Sequence, residues 1–173
     1  MGAKCIFLDR DGVINVDKVD YTYTLEDFKI IPGVIEALEA FKRAGYLLVV
    51  VTNQSGIAKG IYGHEDVKIC HDYFQEKCGS LIDRYYYSPY HQTISESISR
   101  KPDSLMFEKA IAKFDIDIET SWMIGDKNRD MVPAKKLGIK TVLVGHEEPN
   151  PVEVNIKADD LKKAAELILQ TSN

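Results

Sequence analysis

Short apolar, β-branched runs alternate with longer stretches of helical periodicity along this chain of 173 residues. The runs fall at 4–9, 46–52, 84–88, 122–126 and 141–145, most of them apolar almost without interruption. Strands buried on both faces have this pattern, because neither face is left to water. Helical patterns lie between and after them, at 32–44, 65–82, 103–114, 128–137 and 159–169. Pro32 opens the first and Gly45 closes it, Asp103 is placed to cap the third, and Gly138 stops the fourth. In the last, Leu161, Ala164, Ala165, Ile168 and Leu169 share one face. The alternation predicts an α/β fold: a Rossmann-like, three-layer parallel sheet with helices on both faces, reached by right-handed crossovers. No repeat or linker divides the chain, so one domain is expected over 1–173, with no segment long enough for a separate cap.

Open sheets of this kind bind ligands beyond the carboxyl ends of their strands. Three ends carry chemistry here: Asp9-Arg10-Asp11-Gly12, Thr52-Asn53-Gln54-Ser55-Gly56, and Gly125-Asp126 with Asp130 four residues on. Two segments break the alternation, 13–31 and 89–100. The first is too long for an ordinary loop of about 2 to 6 residues and is expected to cover a site.

Composition narrows the function. With 27 acidic against 22 basic residues the formal charge is −5, the reverse of a general nucleic-acid binder. The longest apolar runs are far short of a bilayer span, and the N-terminus lacks the layout of a secretory signal, so no membrane partner and a cytoplasmic location are expected. Cys5, Cys70 and Cys78 are odd in number and lack metal-type spacing, as reduced thiols would be. His64, His71, His91 and His146 are scattered and receive no role.

Asp9 and Asp11, at i and i+2 where a buried strand runs out, repel one another, and Asp126 adds a third carboxylate. A hard cation resolves the conflict, so a Mg²⁺ site is predicted. Thr52 offers a hydroxyl and Lys101 an ammonium beside the next helix N-terminus, both suited to a dianionic phosphoryl group. Arg10, Lys59, Arg100, Lys127 and Arg129 flank the same segments, so this acidic chain gathers its cations where a phosphate would sit.

These motifs resemble those of the haloacid dehalogenase superfamily of aspartate-nucleophile phosphatases, over nearly the whole chain: Phe7-Leu8-Asp9-Arg10-Asp11-Gly12, Val51-Thr52-Asn53, Arg100-Lys101-Pro102, and Ile124-Gly125-Asp126 through Asp130. The resemblance implies that Asp9 is the nucleophile and that Asp11 protonates the leaving oxygen, then activates the hydrolytic water. It implies that Thr52 and Lys101 hold the phosphoryl group, and that Mg²⁺ sits on Asp9, the Asp11 backbone carbonyl and Asp126, with Asp130 supporting from behind. Within the superfamily, Asp9 to Asn15, Thr52 to Ala58 and Ser99 to Pro102 resemble the group of heptose-bisphosphate and histidinol-phosphate phosphatases. This implies a small sugar-phosphate substrate, first a heptose 1,7-bisphosphate losing the phosphate at carbon seven, with histidinol phosphate or another small phosphomonoester as the alternative. Asp17, Tyr21, Asn53, Gln54 and Ser55 would then contact the sugar, Arg100 the distal end and Lys127 the transferring phosphate.

One departure stands out. Members of the group often carry a zinc loop of cysteines and a histidine, where this chain has Ser88, Tyr90, Ser97 and Ser99. Serine hydroxyls are poor zinc ligands, so no zinc is expected, and packing of Tyr85, Tyr86, Tyr87 and Tyr90 is expected to hold the loop instead. A phospho-acceptor signalling module is a rival of another class. Such receivers accept phosphate on a later strand, whereas strand two here ends in Thr52 and Asp11 stands beside Asp9. Oligomeric state is not legible.

Overall fold

The computed structural model describes residues 2–150 and 153–171. Six parallel strands, β1 Cys5–Leu8, β2 Leu47–Asn53, β3 Arg84–Ser88, β4 Trp122–Gly125, β5 Lys140–Val144 and β6 Ile156–Ala158, form one sheet in the order β3-β2-β1-β4-β5-β6. Five α-helices accompany them: α1 Val34–Arg43, α2 His64–Lys77, α3 Leu105–Phe114, α4 Asn128–Leu137 and α5 Leu161–Thr171. The strand order reverses at β1, which pairs with β2 on one side (Leu8 beside Val50) and β4 on the other (Leu8 beside Ile124). The ends of these three central strands therefore converge on one rim.

The central strands divide their side chains between two cores, as a period of two requires. Ile6, Leu8, Leu48, Val50, Ile124 and Val142 face a cluster with Leu38 and Phe41 of α1, Phe74 of α2 and Leu161 and Ile168 of α5. Cys5, Phe7, Val49, Val51, Met123 and Leu143 face Met106 and Phe107 of α3 and Met131 and Ala134 of α4. Phe7 and Leu8 are wholly buried, each contributing about 1.5–3 kcal/mol by that burial. The central strands are held from both sides, which fixes the residues that follow them.

Three expectations need correction. A sixth strand, β6, was not anticipated: three residues are too few for a periodic signal, and it is tied to β5 by Asn155, whose Oδ1 accepts from Thr141 N at 2.9 Å. Helix α2 stops at Lys77 rather than at 82, because Gly79 (φ 64°) and Ser80 (φ 61°) turn the backbone out of the helical region. Asp103 does not cap α3. Its amide closes a turn onto Arg100 O at 2.8 Å, and Ser104 takes the cap position.

Candidate active site

Strand β1 ends at Leu8, and Asp9 N still reaches Ile124 O of β4 at 3.0 Å. Asp9 is thereby seated between β2 and β4 at the rim. Its Oδ1 accepts from Arg10 N (2.7 Å) and lies 3.0 Å from Lys101 Nζ. That ammonium also lies 2.7 Å from Asp130 Oδ1 and donates to Val51 O at 2.7 Å. Burial alone would discharge Lys101, but Asp130 and Asp9 outweigh it and hold the ammonium above its ordinary value. Asn53 places this lysine: its amide accepts from Lys101 N and donates to Lys101 O, both at 3.0 Å, so the end of β2 grips the backbone of a distant loop.

Asp9, Asp126 and Asp130 bring one carboxylate oxygen each within 4.8 Å of one another. Asp130 belongs to this cluster, where its Oδ1 is paired with Lys101. Asp11 does not join it, because the chain turns after Leu8 and the strand alternation stops short of it. Asp126 Oδ2 is paired with Lys127 Nζ at 2.9 Å, while its Oδ1 is buried with no hydrogen-bond partner. Burial, then repulsion from Asp9 and Asp130, pushes the Asp126 carboxyl up to about 7. Gly12, at φ +82°, allows this approach: a Cβ there would lie 2.3 Å from Asp126 Oδ2. An orphaned carboxylate oxygen in an over-acidic cluster fits a hard divalent cation, so Asp9 and Asp126 are suited to Mg²⁺.

Asp11 is bound elsewhere. Its Oδ1 accepts from Arg10 Nη2 (2.8 Å), Arg10 Nε (3.2 Å) and Asn15 Nδ2 (2.9 Å), and its Oδ2 from Gln54 Nε2 (3.0 Å). Arg10, 1% exposed, also donates to Thr22 O at 2.6 Å, tying the 13–31 segment to the site. That segment is anchored at its base by Val16 N to Lys29 O and Ile31 N to Ile14 O, and at its tip Val19 is fully exposed.

Over these groups opens a cavity of about 290 Å³ whose lining includes all seven expected substrate contacts: Asp17, Tyr21, Asn53, Gln54, Ser55, Arg100 and Lys127. Asp11 and Arg129 also line it, and Arg129 had been assigned no contact. A larger cavity of about 460 Å³ shares Arg100 in its lining but none of the other expected substrate contacts. The 89–100 loop is held differently from expectation. Tyr90 is 42% exposed, and the loop is stitched instead by Ser99 Oγ, 3.0 Å from Ser88 Oγ and 2.9 Å from Ser97 Oγ. Arg100 adds bonds to Tyr90 O (3.1 Å) and Gln92 Oε1 (3.2 Å). Tyr62, missed in the sequence, donates to Gln54 Oε1 at 2.9 Å. No sequence signal links two residues eight apart across a turn.

A parallel sheet with an acid-and-lysine cluster at its switch point defines a hydrolase of the haloacid dehalogenase type, and comparison with known proteins agrees. The HAD-hydrolase-like family model matches residues 98–166. A D-glycero-beta-D-manno-heptose-1,7-bisphosphate 7-phosphatase of Haemophilus ducreyi is 38% identical over 169 residues, 92% of either chain. One of Vibrio cholerae is 42% identical over 153 residues, 83% of this chain and 82% of its own. The crystal structure of D,D-heptose 1,7-bisphosphate phosphatase from B. bronchiseptica, complexed with magnesium and phosphate, superimposes with a TM-score of 0.89 at 26% identity, over 97% of this chain and 99% of that one. The chain belongs to the haloacid dehalogenase superfamily of hydrolases, and within it to the family of the heptose-bisphosphate phosphatases. It is a phosphatase. Among the described residues, no helix is long and apolar enough to cross a membrane.

Proposed function

We propose that the chain removes the phosphate at carbon seven of a heptose 1,7-bisphosphate by way of a phosphorylated Asp9. The observation that carries this is the buried Asp9–Lys101–Asp130 cluster at the rim, linked through Asn53, which bonds Lys101, and Lys127, which pairs with Asp126, to a cavity lined by Asp11 and the seven expected substrate contacts. Asp9 Oδ1 is occupied by Lys101 and Arg10, leaving Oδ2 to attack phosphorus. As that bond forms, the bond from phosphorus to the sugar oxygen breaks, and a proton from Asp11 passes to the leaving oxygen. Asp11 then takes a proton from water as the water oxygen attacks phosphorus, releasing inorganic phosphate and restoring Asp9. Thr52 donates its hydroxyl to the phosphoryl oxygens, and the buried Lys101 ammonium, 3.0 Å from Asp9 Oδ1, sets positive charge beside the nucleophile. Asp9, Asp126 and the Asp11 backbone carbonyl would hold Mg²⁺, which would supply positive charge against an incoming phosphate dianion. Lys127 and Arg129 attract the transferring phosphate, and Arg100 grips the far end of the substrate. Hydroxyls of Ser88, Ser97 and Ser99 close the 89–100 loop without zinc, in a protein that works in the cytoplasm as one catalytic domain.

Several features support the substrate class. The cavity is lined mostly by polar and charged groups, as a sugar requires, and its lining includes the cations Lys18, Arg100, Lys127 and Arg129, as a bisphosphate requires. Comparing kcat/KM for heptose 1,7-bisphosphate, histidinol phosphate and a panel of sugar monophosphates tests the assignment. A clear preference for the bisphosphate is expected. Equal, low values throughout overturn the heptose assignment, and a preference for histidinol phosphate replaces it.

A further inference from the structure

Gln54 lines the cavity with both of its amide protons and its carbonyl oxygen engaged within the protein. It is 1% exposed. One amide proton goes to Asp11 Oδ2 and the other to Thr52 Oγ1, both at 3.0 Å, and Tyr62 OH donates to its Oε1 at 2.9 Å. The orientation of the amide follows from chemistry: an ionised carboxylate only accepts, so the NH₂ end must face Asp11, and the carbonyl must face Tyr62. Tyr62 is suited to the donor role, since burial pushes its phenol up to about 12. Its ring is wedged in place, stacked on Tyr23 (centroids 5.0 Å, 14°) and seated against Gly56, where a Cβ would lie 2.1 Å from a ring carbon.

Two consequences follow for groups that handle the substrate. Asp11 Oδ1 already accepts from Arg10 and Asn15, so Oδ2, the oxygen that Gln54 holds, is the one left to face the leaving group. Thr52 Oγ1 accepts from Gln54, so its own proton is turned away from the amide and is free for a phosphoryl oxygen. We propose that Gln54 is a positioning residue rather than a sugar contact: oriented by Tyr62, its amide aims the reactive oxygen of Asp11 at the leaving group and the hydroxyl proton of Thr52 at the phosphate. The inference rests on Asp11 being the acid.

The test uses the Mg²⁺-loaded full chain, a series of substituted phenyl phosphates that lack any sugar, and the heptose bisphosphate. Gln54→Met keeps the length of the side chain and removes its donors. Because a well-placed general acid contributes about 10²–10⁴-fold, kcat/KM of Gln54→Met should fall about tenfold or more further for phenyl phosphate than for p-nitrophenyl phosphate, whose leaving group needs little protonation. On the heptose bisphosphate, kcat should fall while KM stays within about threefold. Tyr62→Phe should move the leaving-group dependence in the same direction, by less, and serves alone if Gln54→Met does not fold. Losses equal across the phenyl series, or a raised KM with kcat unchanged, overturn the inference and return Gln54 to sugar contact. Asp11→Asn separates the two claims: if it turns over phenyl phosphate at the wild-type rate, the acid assignment itself fails.

Discussion

The rim of the central strands and the loops above it are built in opposite ways. At the rim, Asp9, Lys101 and Asp130 are almost wholly buried: Asp9 follows a strand paired on both sides, Lys101 is held by Asn53 at the end of β2, and Asp130 sits in the first turn of α4. Above it, the 13–31 and 89–100 loops expose Val19, Tyr90, Ile94 and Ile98 and are held by a few hydrogen bonds among Arg10, Thr22, Ser88 and Ser99. Charges buried without water interact strongly, and removing one leaves its partners uncompensated. Exposed polar groups exchange protein partners for water at small cost. Chemistry that must not vary is thus coded where substitution is costly, and substrate choice where it is cheap.

The sharpest way to break that contrast is Lys101→Met, which strands two buried carboxylates. It should cost about 3–5 kcal/mol in urea denaturation and abolish turnover, and unchanged stability would mean that the cluster is not charge-coupled. Next comes metal removal. The Asp126 carboxyl is raised from its ordinary 3.8 to about 7, so between those values the folded chain without metal binds more protons than the unfolded chain. Stability in EDTA should therefore fall as pH rises from about 4 through 7. Added Mg²⁺ should cancel the fall, and Asp126→Asn should lack it; melting temperatures at pH 5 and 8 suffice. In the loops the effects should shrink. Arg100→Ala removes one charge-assisted contact, so KM should rise about 10- to 100-fold with kcat within about threefold. Ser99→Ala breaks the hydroxyl bridge and should cost about 1 kcal/mol, seen as faster amide exchange over 89–100.

How much of this was legible in the sequence divides along the same line. Five strands and the acids at their ends could be read, because runs that are mostly apolar locate buried strands, and the residue after such a run must lie at the rim. β6 could not, since of its three residues Ile156 is half-buried, Lys157 exposed and only Ala158 buried, too short a pattern to read. Nor could the partition of the polar residues. Asn53 and Gln54 are equally suited in type to a sugar hydroxyl, yet Asn53 is committed to the Lys101 backbone and Gln54 to Asp11, Thr52 and Tyr62. Residue type shows that a side chain can hydrogen-bond, whereas packing decides with what. The 89–100 loop shows the same limit: four nearby tyrosines suggested packing, and the link turned out to run through Ser99.

The account stands or falls on covalent phosphorylation of one side chain. Rapid acid quench of the Mg²⁺-loaded enzyme during turnover, followed by peptide mass spectrometry, should find a hydroxylamine-labile phosphate on the peptide bearing Asp9, and none in Asp9→Asn. Full turnover by Asp9→Asn, or an acyl phosphate on a different aspartate, would contradict it.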